Sequence, residues 1–585
     1  MSKPILYWSL FLLIAVSMSA FSFWTTLGSF FYLDDYAFIT LARYTDNPWV
    51  YFTSSHFPGS YFYRPSVFVL WWLTTRLEFS MTAHLMVNWL LLLSAGGLLT
   101  SLLLKLGSRR LIACACGLLF VIHPITVMTA GWLSNRFDLL ATVGILLALL
   151  GCTGWYRQDA TRRTSLLLAG LGTALAVTSK ELGYLVPVVV TLLALGYGKG
   201  NLLRRLLTAP WLLTLAIACA ALGMRLYLLQ GAESGLLAVD GAVLQLIRGA
   251  SNWLQHLPYY VGFSPAQPGW GAGLLALAVL ISCVTLAIQL GRQKKPHLSR
   301  SHLVSLFSGI LIVLLAMLIQ TPITSWVTLH APNTGPFDDT FYYAARFYYL
   351  AIAGVLIGLA GLLNLLIEAA PSTSREHTRR HPLGTAALGL LLIVLCGHWA
   401  LASREQGMIL TAFTAADDKR IALAAARAVD NLTEIDSETP CRLYFIGTEQ
   451  FTDKFWHYSD NTIKALVTNA QAHAISHCLI ATERTPWYNI HSASDAEQLQ
   501  VPRSGPFRPI CKDGQPLGLQ TVGSALVQYL SFGENGSELV ASDGDIVFEY
   551  DADSGNFRNI TDAVKAGETG VQLLWSRFPA NACPM

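Results

Sequence analysis

Long apolar runs, separated by short loops rich in Lys and Arg, occupy the first two thirds of this 585-residue chain. A helix needs about 20 mostly apolar residues to cross a bilayer, and all its backbone hydrogen bonds are then satisfied internally. Runs that approach this length lie at residues 5–27, 82–104, 111–130, 139–154, 164–179, 183–198, 209–229, 270–290, 302–320, 346–367 and 383–403. They predict a polytopic α-helical membrane protein with about 11 transmembrane helices.

Charge is distributed unevenly along the chain. Only 13% of the residues are charged, against about 25% in soluble domains, which excludes a single soluble enzyme. Residues 1–403 hold 13 of the 36 acidic residues, and residues 404–585 hold the other 23. We therefore predict a transmembrane domain at 1–403 and a water-soluble domain at 404–585. A net charge of only +3 gives no basic footprint for a nucleic-acid partner, so none is expected.

The basic residues of the membrane part predict its orientation. With the N-terminus in the cytoplasm, 17 Lys and Arg residues lie in inward segments and 8 lie in outward loops or helix ends. Cytoplasmic loops are enriched in Lys and Arg. The predicted C-terminal domain is then on the non-cytoplasmic side.

The apolar stretch at 66–79 is too short to cross a bilayer. It contains Trp71 and Trp72 and includes Arg76 and Glu78 near its end. If it crossed, the predicted side of every later loop would reverse. Trp residues favour the membrane–water interface, so we predict an interfacial helix on the outer surface.

The last 182 residues have the pattern of a small α/β domain. A helix rich in Ala and charge is predicted at 404–430, and strands are predicted at 441–447, 525–530, 545–550 and 571–575. Its four cysteines are Cys441, Cys478, Cys511 and Cys583. An even number in an exported domain predicts one or two disulfides, with three complete connectivities open.

Two adjacent carboxylates follow the first apolar run directly. Asp34 and Asp35 lie in a Phe-Phe-Tyr-Leu-Asp-Asp-Tyr sequence, so they are predicted at the outer membrane surface among aromatic groups. Neighbouring like charges at a low-dielectric boundary raise one pKa. Such a pair suits a general base, or it holds Mg²⁺ or Mn²⁺ together with His84 or His123. A helix N-cap is the structural alternative, and the sequence does not choose between the two aspartates.

Further ionisable and polar residues converge on the predicted outer ends of the spans. The candidates for substrate binding are Arg64, His84, Asn88, His123, Arg136, Asp138, Lys180, Glu181 and Arg346. Ionisable residues in or beside spans usually serve function or pair with one another. The structural alternatives are a packing hydrogen bond from His84, an ion pair between Arg136 and Asp138, and a Lys180 side chain that only extends to the membrane interface.

Several motifs occur in a fixed order over residues 34–349. They are Asp34-Asp35, Tyr63-Arg64-Pro65, His84-x-x-x-Asn88, His123-Pro124, Arg136-x-Asp138, Ser179-Lys180-Glu181 and Arg346-x-x-Tyr349. In this order they resemble the membrane part of the GT-C glycosyltransferase superfamily. Within it, they are most similar to the TMTC-type protein O-mannosyltransferases and their bacterial relatives.

The resemblance implies an inverting transfer of one sugar from a polyprenyl-phosphate donor to a protein or glycan acceptor, outside the cytoplasm. It implies that Asp34 or Asp35 acts as the catalytic base or orients the acceptor. Cationic contacts to the lipid phosphate are implied for Arg346, Lys180, Arg64 and Arg136. No cofactor is implied with certainty, and a divalent cation stays open.

Two positions depart from the pattern of the relatives. Ala345 stands where they usually have an acidic residue before the arginine, and the stretch after His123-Pro124 lacks their glutamate. The helical repeats of about 34 residues that end the eukaryotic proteins are also not visible after residue 404. We therefore expect a bacterial inner membrane with the C-terminal domain in the periplasm, or an ER membrane with a lumenal domain if the host is eukaryotic.

Two other functions compete with the enzyme. A transporter or flippase of a lipid-linked sugar would also have many spans, although it often shows internal repeats and helices broken near the midplane. No matching halves are visible in this sequence. A non-catalytic scaffold that presents the C-terminal domain would not require the Asp34-Asp35 pair.

Overall fold

The computed structural model describes residues 3–31, 34–54, 63–229, 299–330, 346–369, 382–414, 417–432, 442–446, 459–476, 478–482, 507–512, 515–521 and 545–566. Its first helices are α1 (Lys3–Phe23), α2 (Asp34–Tyr44), α3 (Val50–Thr53), α4 (Pro65–Arg76), α5 (Met81–Lys105), α6 (Arg110–Ile122), α7 (Pro124–Gly131), α8 (Arg136–Arg157) and α9 (Arg162–Val177). The next are α10 (Val186–Tyr197), α11 (Leu202–Leu206), α12 (Ala209–Leu228), α13 (Arg300–His330), α14 (Tyr349–Ala369) and α15 (Pro382–Thr414). Short 3-10 turns occur at Trp24–Gly28, Leu133–Asn135, Glu181–Leu185 and Arg346–Tyr348.

Six helical segments in the described ranges are long and apolar enough to cross a membrane. They are Phe11–Gly28, Met81–Lys105, Leu133–Arg157, Ala209–Leu228, Arg300–Gln320 and Arg346–Glu368. A seventh candidate is the pair α6 and α7, which bends by 47°. The predicted number of about 11 spans is therefore not confirmed, and the predicted span at 270–290 lies outside the described residues.

Local sequence signals explain where several of these helices begin. The side chain of Ser80 accepts a hydrogen bond from the Ala83 backbone N–H at the start of α5, and Thr161 caps α9 in the same way. Pro65 is in the first turn of α4, where its missing N–H costs no hydrogen bond. Caps and prolines at these positions match the normal preferences of helix N-termini.

Helices α8 and α9 pack closely because small residues face each other. A Cβ added at Gly144 would lie 2.6 Å from the backbone nitrogen of Ala176. Small residues at such contacts allow helix backbones to approach, as is common in membrane bundles. The N-terminus of α8 and the C-terminus of α9 therefore lie at the same end of the bundle, where the candidate residues are found.

The stretch predicted as an interfacial helix forms α4. It buries Val67, Phe68 and Trp71 and exposes Leu73. Arg76 ends the helix and donates to the Thr45 carbonyl and to Asp46 Oδ1, 2.9 and 3.1 Å away. At 12 residues the helix is too short for a span. Its position at the outer membrane surface stays a prediction.

The change in composition at residue 404 falls inside α15, which continues without interruption to Thr414. The later helices are α16 (Asp417–Asp430), α17 (Ser459–Leu466), α18 (Asn469–Ala474) and α19 (Thr561–Lys565). The strands are β1 (Arg442–Ile446), β2 (Leu479–Thr482), β3 (Phe507–Lys512), β4 (Gln515–Thr521), β5 (Asp545–Asp551) and β6 (Asn556–Asn559). The predicted strands at 525–530 and 571–575 lie outside the described residues.

These strands form a mixed sheet in the order β2-β1-β5-β6, and β3 and β4 pair separately. Strand β1 is parallel to β2 and β5, whereas β5 and β6 are antiparallel. Residues Val429, Leu443, Phe445, Ile463 and Phe548 share a hydrophobic core. We call α16–α19 and the six strands the C-terminal unit. Its independence as a water-soluble domain stays a prediction.

The described cysteines differ in oxidation state between the two parts of the chain. Cys478 in the C-terminal unit is disulfide-bonded. The cysteines described in the membrane part are free: Cys114, Cys116, Cys152, Cys219 and Cys396. One disulfide of the predicted kind is thus present, and the connectivity of the four cysteines stays open.

Candidate functional site

Asp34 and Asp35 form the first turn of α2, but their surroundings differ. Asp35 is fully buried. Its Oδ1 accepts hydrogen bonds from the backbone N–H and the hydroxyl of Ser134, at 2.8 and 2.5 Å. A carboxylate held in this way has a fixed position and fixed partners. Ser134 lies in the turn before α8, so this contact joins α2 to the membrane bundle.

Asp34 is partly exposed and accepts no hydrogen bond within the part of the chain that the structure describes. Desolvation raises the pKa of its carboxyl above the ordinary value, and the charges of Arg346 and Arg64 oppose that rise. A carboxylate that is open on one side and has a raised pKa can accept a proton from a substrate hydroxyl. Of the two aspartates, Asp34 therefore has the properties of a base.

Arg136 is fully buried and binds the residues that were predicted beside it as substrate contacts. Its Nε donates to Asn88 Oδ1 at 2.9 Å, and its Nη1 donates to Thr74 Oγ1 at 3.1 Å. Its Nη2 contacts His84 Nδ1 and donates to the His84 carbonyl, both at 3.0 Å. The guanidinium lies 4.4 Å above the ring of Trp71. These contacts engage four of the five donors of the guanidinium.

His84 and Asn88 serve this arginine on one face of α5. Because a guanidinium only donates, His84 Nδ1 accepts and the ring proton is on Nε2. The amide of Asn88 donates to the carbonyls of Ala130 and Trp132, at 3.0 and 3.3 Å. Arg136, His84 and Asn88, predicted to bind substrate, thus contact one another and the neighbouring backbone. The predicted alternative of an Arg136–Asp138 ion pair is wrong, because each has another partner.

His123 lies at the bend between α6 and α7. It is fully buried, and its Nδ1 accepts from the Ile125 backbone N–H at 3.1 Å, which caps α7. Its ring packs edge-on against Trp399 of α15. Ser403 donates to the Ile122 carbonyl, which the bend deprives of its helical partner. His123, predicted as a substrate or metal contact, therefore stabilises a broken helix.

Lys180 and Asp138 form a buried ion pair at the end of the α8–α9 pair. The distance between Lys180 Nζ and Asp138 Oδ1 is 2.6 Å. The ammonium also lies 5.2 Å from the centre of the Phe347 ring. Burial lowers the pKa of Lys180 to about 8, Asp138 acts against this shift, and the charges of Arg64 and Arg346 add to it. Lys180 is therefore charged at neutral pH and close to losing its proton.

Glu181 binds two arginines from different parts of the chain. Arg64 donates to both of its carboxylate oxygens, at 2.9 and 3.2 Å, and Arg225 lies 2.8 Å from it. The loop after α9 is fixed against α4, because Ser66 donates its backbone N–H to the Thr178 carbonyl at 3.2 Å. This contact brings Arg64 and Glu181 together.

Arg225 joins the candidate site through its ion pair with Glu181, and it is not among the residues predicted from the sequence. Its signal is visible in the sequence, because it is an ionisable residue near the end of an otherwise apolar run. Ser134 was missed too. It has no such signal, since nothing in a serine before a helix identifies a partner 99 residues earlier.

Arg346 begins the 3-10 turn before α14 and contributes a buried guanidinium to the candidate site. Its guanidinium lies 4.9 Å from the centre of the Trp132 ring and 5.1 Å from that of Phe347. It interacts electrostatically with both Asp34 and Lys180. The preceding residue, Ala345, at which the chain departs from the motif, lies outside the described residues. Arg346 and Arg64 thus both act on the Asp34 carboxylate and on the Lys180 ammonium.

The structure therefore divides the predicted residues, together with Arg225, into two groups. The first is named the outer charge cluster after the predicted outer ends of the spans, and its location on that side stays a prediction. It consists of Asp34, Arg64, Asp138, Lys180, Glu181, Arg225 and Arg346. The second consists of buried residues that support it: Asp35, His84, Asn88, His123 and Arg136. The outer charge cluster places one open carboxylate near several cations. Such an arrangement can deprotonate a hydroxyl and stabilise a phosphate that leaves with negative charge.

A divalent cation has no assembled ligand set among the residues described. No group of three or more His, Cys, Asp or Glu side chains within them is arranged to hold a metal. Asp35 binds Ser134, and the Nδ1 atoms of His84 and His123 accept other hydrogen bonds. The predicted Mg²⁺ or Mn²⁺ site made by the aspartates with a histidine is not formed here.

No protein-family model and no curated protein matches the chain. Among solved structures, the chain is similar to the oligosaccharyltransferase of Archaeoglobus fulgidus in the apo form, at 13% identity and a TM-score of 0.43, over 85% of this chain and 69% of that one. It is also similar to ArnT from Cupriavidus metallidurans bound to undecaprenyl phosphate, at 15% identity and a TM-score of 0.37, over 88% and 97% of the two chains.

A third similar structure is the archaeal oligosaccharyltransferase AglB from Archaeoglobus fulgidus, in complex with an inhibitory peptide and a dolichol-phosphate. It has 14% identity and a TM-score of 0.41, over 86% of this chain and 69% of that one. With TM-scores below 0.5, these similarities do not transfer an activity or a ligand to this chain.

Proposed function

We propose that the chain is an inverting membrane glycosyltransferase of the GT-C type, which moves a sugar from a polyprenyl-phosphate donor to an acceptor on the non-cytoplasmic side. The observation that carries this proposal is that a partly exposed carboxylate, Asp34, interacts electrostatically with Arg346 and Arg64. The order of motifs over residues 34–349 supports it independently. The acceptor is a protein or a glycan.

In the proposed reaction, Asp34 takes the proton of the acceptor hydroxyl. The hydroxyl oxygen attacks the anomeric carbon from the face opposite the leaving group, and the bond between that carbon and the phosphate oxygen breaks. The polyprenyl phosphate leaves with the electron pair of that bond, so negative charge develops on its oxygen. Assistance by a general base contributes roughly 10²- to 10⁴-fold to the rate.

The cations of the outer charge cluster have the complementary role. Arg346 and Lys180 are buried, and burial strengthens their interaction with a developing negative charge. The Arg64–Glu181–Arg225 group retains a net positive charge of one, since two cations share one anion. We assign the donor phosphate to the space beside these residues. No step of this mechanism is assigned to a metal ion.

The two aspartates have different roles in this proposal. Asp34 is the base, whereas Asp35 holds the first turn of α2 against Ser134. Arg136, with His84 and Asn88, maintains the ends of α5 and α8 beneath the site. His123 maintains the bend that α15 covers. These residues do not touch the substrate in this proposal and affect catalysis only because they hold the helices around the site in place.

The test compares Asp34→Asn and Asp35→Asn, with Asp46→Asn as the matched control because its side chain is 94% exposed in the same outer segment. Each variant is assayed in host membranes with labelled glucose, galactose or mannose linked to undecaprenyl phosphate. Binding of undecaprenyl phosphate to the purified protein is measured by tryptophan fluorescence. We expect Asp34→Asn to lose at least about 100-fold in transfer with binding kept. Full transfer by Asp34→Asn would overturn the assignment.

A transporter or flippase of a lipid-linked sugar is the alternative function. It predicts binding of the donor lipid and its movement across a vesicle membrane, without transfer of sugar to any acceptor. The carboxylate of Asp34, whose pKa is raised, interacts with Arg346 and Arg64, the cations proposed to bind the donor phosphate. This arrangement favours the enzyme, because a transporter needs no base at that position. Donor movement without transfer by the wild-type protein would favour the transporter.

A further inference from the structure

The helix that begins with Asp34 ends against the C-terminal unit. Arg43, in the last turn of α2, donates from Nη1 to the carbonyls of Lys464 and Val467, at 2.8 and 2.7 Å. Both carbonyls are at the C-terminal end of α17, where helix carbonyls have no partner within the helix. A cation at this end also interacts favourably with the helix dipole. Arg43 of α2 therefore caps the C-terminal end of α17, although the two helices are far apart in the sequence.

The next residue of α2 makes a second contact with the same unit. The hydroxyl of Tyr44 donates to the Ala472 carbonyl at 2.6 Å, and the Tyr44 ring packs edge-on against His473, with centroids 5.8 Å apart. Both partners belong to α18. Two consecutive side chains thus attach the C-terminal end of α2 to two short helices of the C-terminal unit.

The segment before Asp34 is also held by residues that follow position 403. Thr411 of α15 donates to the Thr25 carbonyl at 2.6 Å and lies 3.3 Å from the hydroxyl of Ser29. Lys419 of α16 lies 5.2 Å from the centre of the Phe30 ring. The chain that carries Asp34 is therefore held on both sides by the last part of the protein.

Between these two attachments, α2 packs against two other helices. The ring of Phe38 contacts Phe68 of α4 and Phe137 of α8, with centroids 5.5 and 5.3 Å apart. Arg43 is nine positions after Asp34, so the backbones of the two residues are roughly 13.5 Å apart along the helix axis. Because α2 is one uninterrupted helix from Asp34 to Tyr44, we expect a shift at its Arg43 end to move its first turn as well.

We infer that Arg43 and Tyr44 are positioning residues through which the C-terminal unit sets the placement of the Asp34 carboxylate. This inference rests on the proposed function, in which Asp34 is the base. It gives the C-terminal unit a part in the transfer step itself, in addition to any contact with the acceptor. The contacts to Lys464, Val467 and Ala472 are the physical link.

The experiment uses the full-length protein with Arg43→Met, Arg43→Lys and Tyr44→Phe. Arg427→Met is the matched control, because Arg427 is an exposed arginine of the C-terminal unit that bonds Asn556 within that unit. We expect kcat to fall about tenfold or more in Arg43→Met and about threefold in Tyr44→Phe. Arg43→Lys, which keeps the charge at the end of α17, is expected to recover part of the loss. The affinity for undecaprenyl phosphate and the thermal midpoint should stay near the wild-type values.

Two further readouts separate positioning from a general structural role. In Arg43→Met, the acid limb of the pH profile should move, because the surroundings of Asp34 change. Adding Arg43→Met to Asp34→Asn should cause no further loss of rate, since the group it positions is gone. Hydrogen exchange of the α2 backbone should rise in Arg43→Met and Tyr44→Phe, with no rise in the Arg427→Met control.

The outcomes distinguish this inference from the proposed function. If Asp34→Asn keeps full transfer, the proposed base is wrong and the inference fails with it. If Asp34→Asn is inactive but Arg43→Met and Tyr44→Phe retain wild-type kcat and pH profile, only the inference fails. An equal loss of rate from Arg43→Met in the wild-type and Asp34→Asn backgrounds would also overturn it.

Discussion

The carboxylate of Asp35 accepts both hydrogen bonds that Ser134 can donate, one from its backbone N–H and one from its hydroxyl. This relationship leaves Asp34 as the open member of the pair. It also gives buried Arg136 an anionic neighbour, because Asp35 interacts electrostatically with that guanidinium. Asp35 is therefore the buried, hydrogen-bonded member of the pair, and under the proposed function Asp34 is the base.

Removing the hydroxyl of Ser134 should affect stability and leave the chemistry intact. Ser134→Ala keeps the backbone hydrogen bond and loses the other, which costs about 1 kcal/mol in the free energy of unfolding. Asp35→Asn should cost more, because it also removes the charge near Arg136. Thermal unfolding in detergent, followed by tryptophan fluorescence, measures both. Loss of transfer by Ser134→Ala above about 100-fold, at an unchanged thermal midpoint, would instead make Asp35 a catalytic group.

Arg136→Lys should destabilise the protein although it keeps the charge. A lysine cannot reproduce the bonds to Asn88, Thr74 and His84 or the stacking on Trp71, so about 2 to 4 kcal/mol of the unfolding free energy should be lost. Arg163→Lys, at an exposed position, is the control. The affinity of the folded fraction for undecaprenyl phosphate should not change. Weaker lipid binding at an unchanged thermal midpoint would return Arg136 to the substrate-binding group.

Local sequence patterns predict the helices better than the partners of polar residues. The Trp-rich stretch predicted at 66–79 is helical over Pro65–Arg76, and β5 covers the strand predicted at 545–550. The sequence offers an ion pair between Arg136 and Asp138 as an alternative, whereas in the structure Arg136 binds Asn88 and Asp138 binds Lys180. Their actual partners, on α5 and after α9, depend on helix packing.

The sequence also could not predict which of Asp34 and Asp35 is buried against a partner. The adjacent residues have the same chemistry and the same place in the sequence, and only the turn before α8 distinguishes them. Arg225 is different, since its charge within an apolar run was already a sign of function or pairing. Burial and contacts between distant segments decide which predicted residues remain open to a substrate.

The pH dependence of transfer should be bell-shaped. Asp34 must lose its proton to act as the base, so the rate rises with pH through the raised pKa of that group. Lys180 must keep its proton to attract the phosphate, so the rate falls as the pH rises through about 8. The profile of kcat/KM between pH 4 and 10, in membranes with a fixed donor concentration, measures both limbs.

Two variants should move the alkaline limb in opposite directions. In Asp138→Asn the negative charge that raises the pKa of Lys180 is lost, so the limb should move to lower pH. In Lys180→Arg the cation does not lose its proton below pH 10, so the limb should disappear from the measured range. Asp46→Asn serves as the control and should leave the profile unchanged. An alkaline limb that stays in place in both variants would exclude Lys180 as its origin.

Changing the net charge of the Arg64–Glu181–Arg225 group tests whether the group attracts the donor phosphate, because the affinity for the lipid should then rise or fall with that charge. Its net charge is +1, and it becomes zero in Arg225→Gln and +2 in Glu181→Gln. If the group attracts the donor phosphate, the affinity for undecaprenyl phosphate should fall about three- to tenfold in Arg225→Gln and rise by a similar factor in Glu181→Gln. Both effects should weaken at high ionic strength, because salt screens the attraction. Equal weakening of binding by both variants, with lower thermal midpoints, would show instead that the three side chains only brace the loop after α9 against α4 and α12.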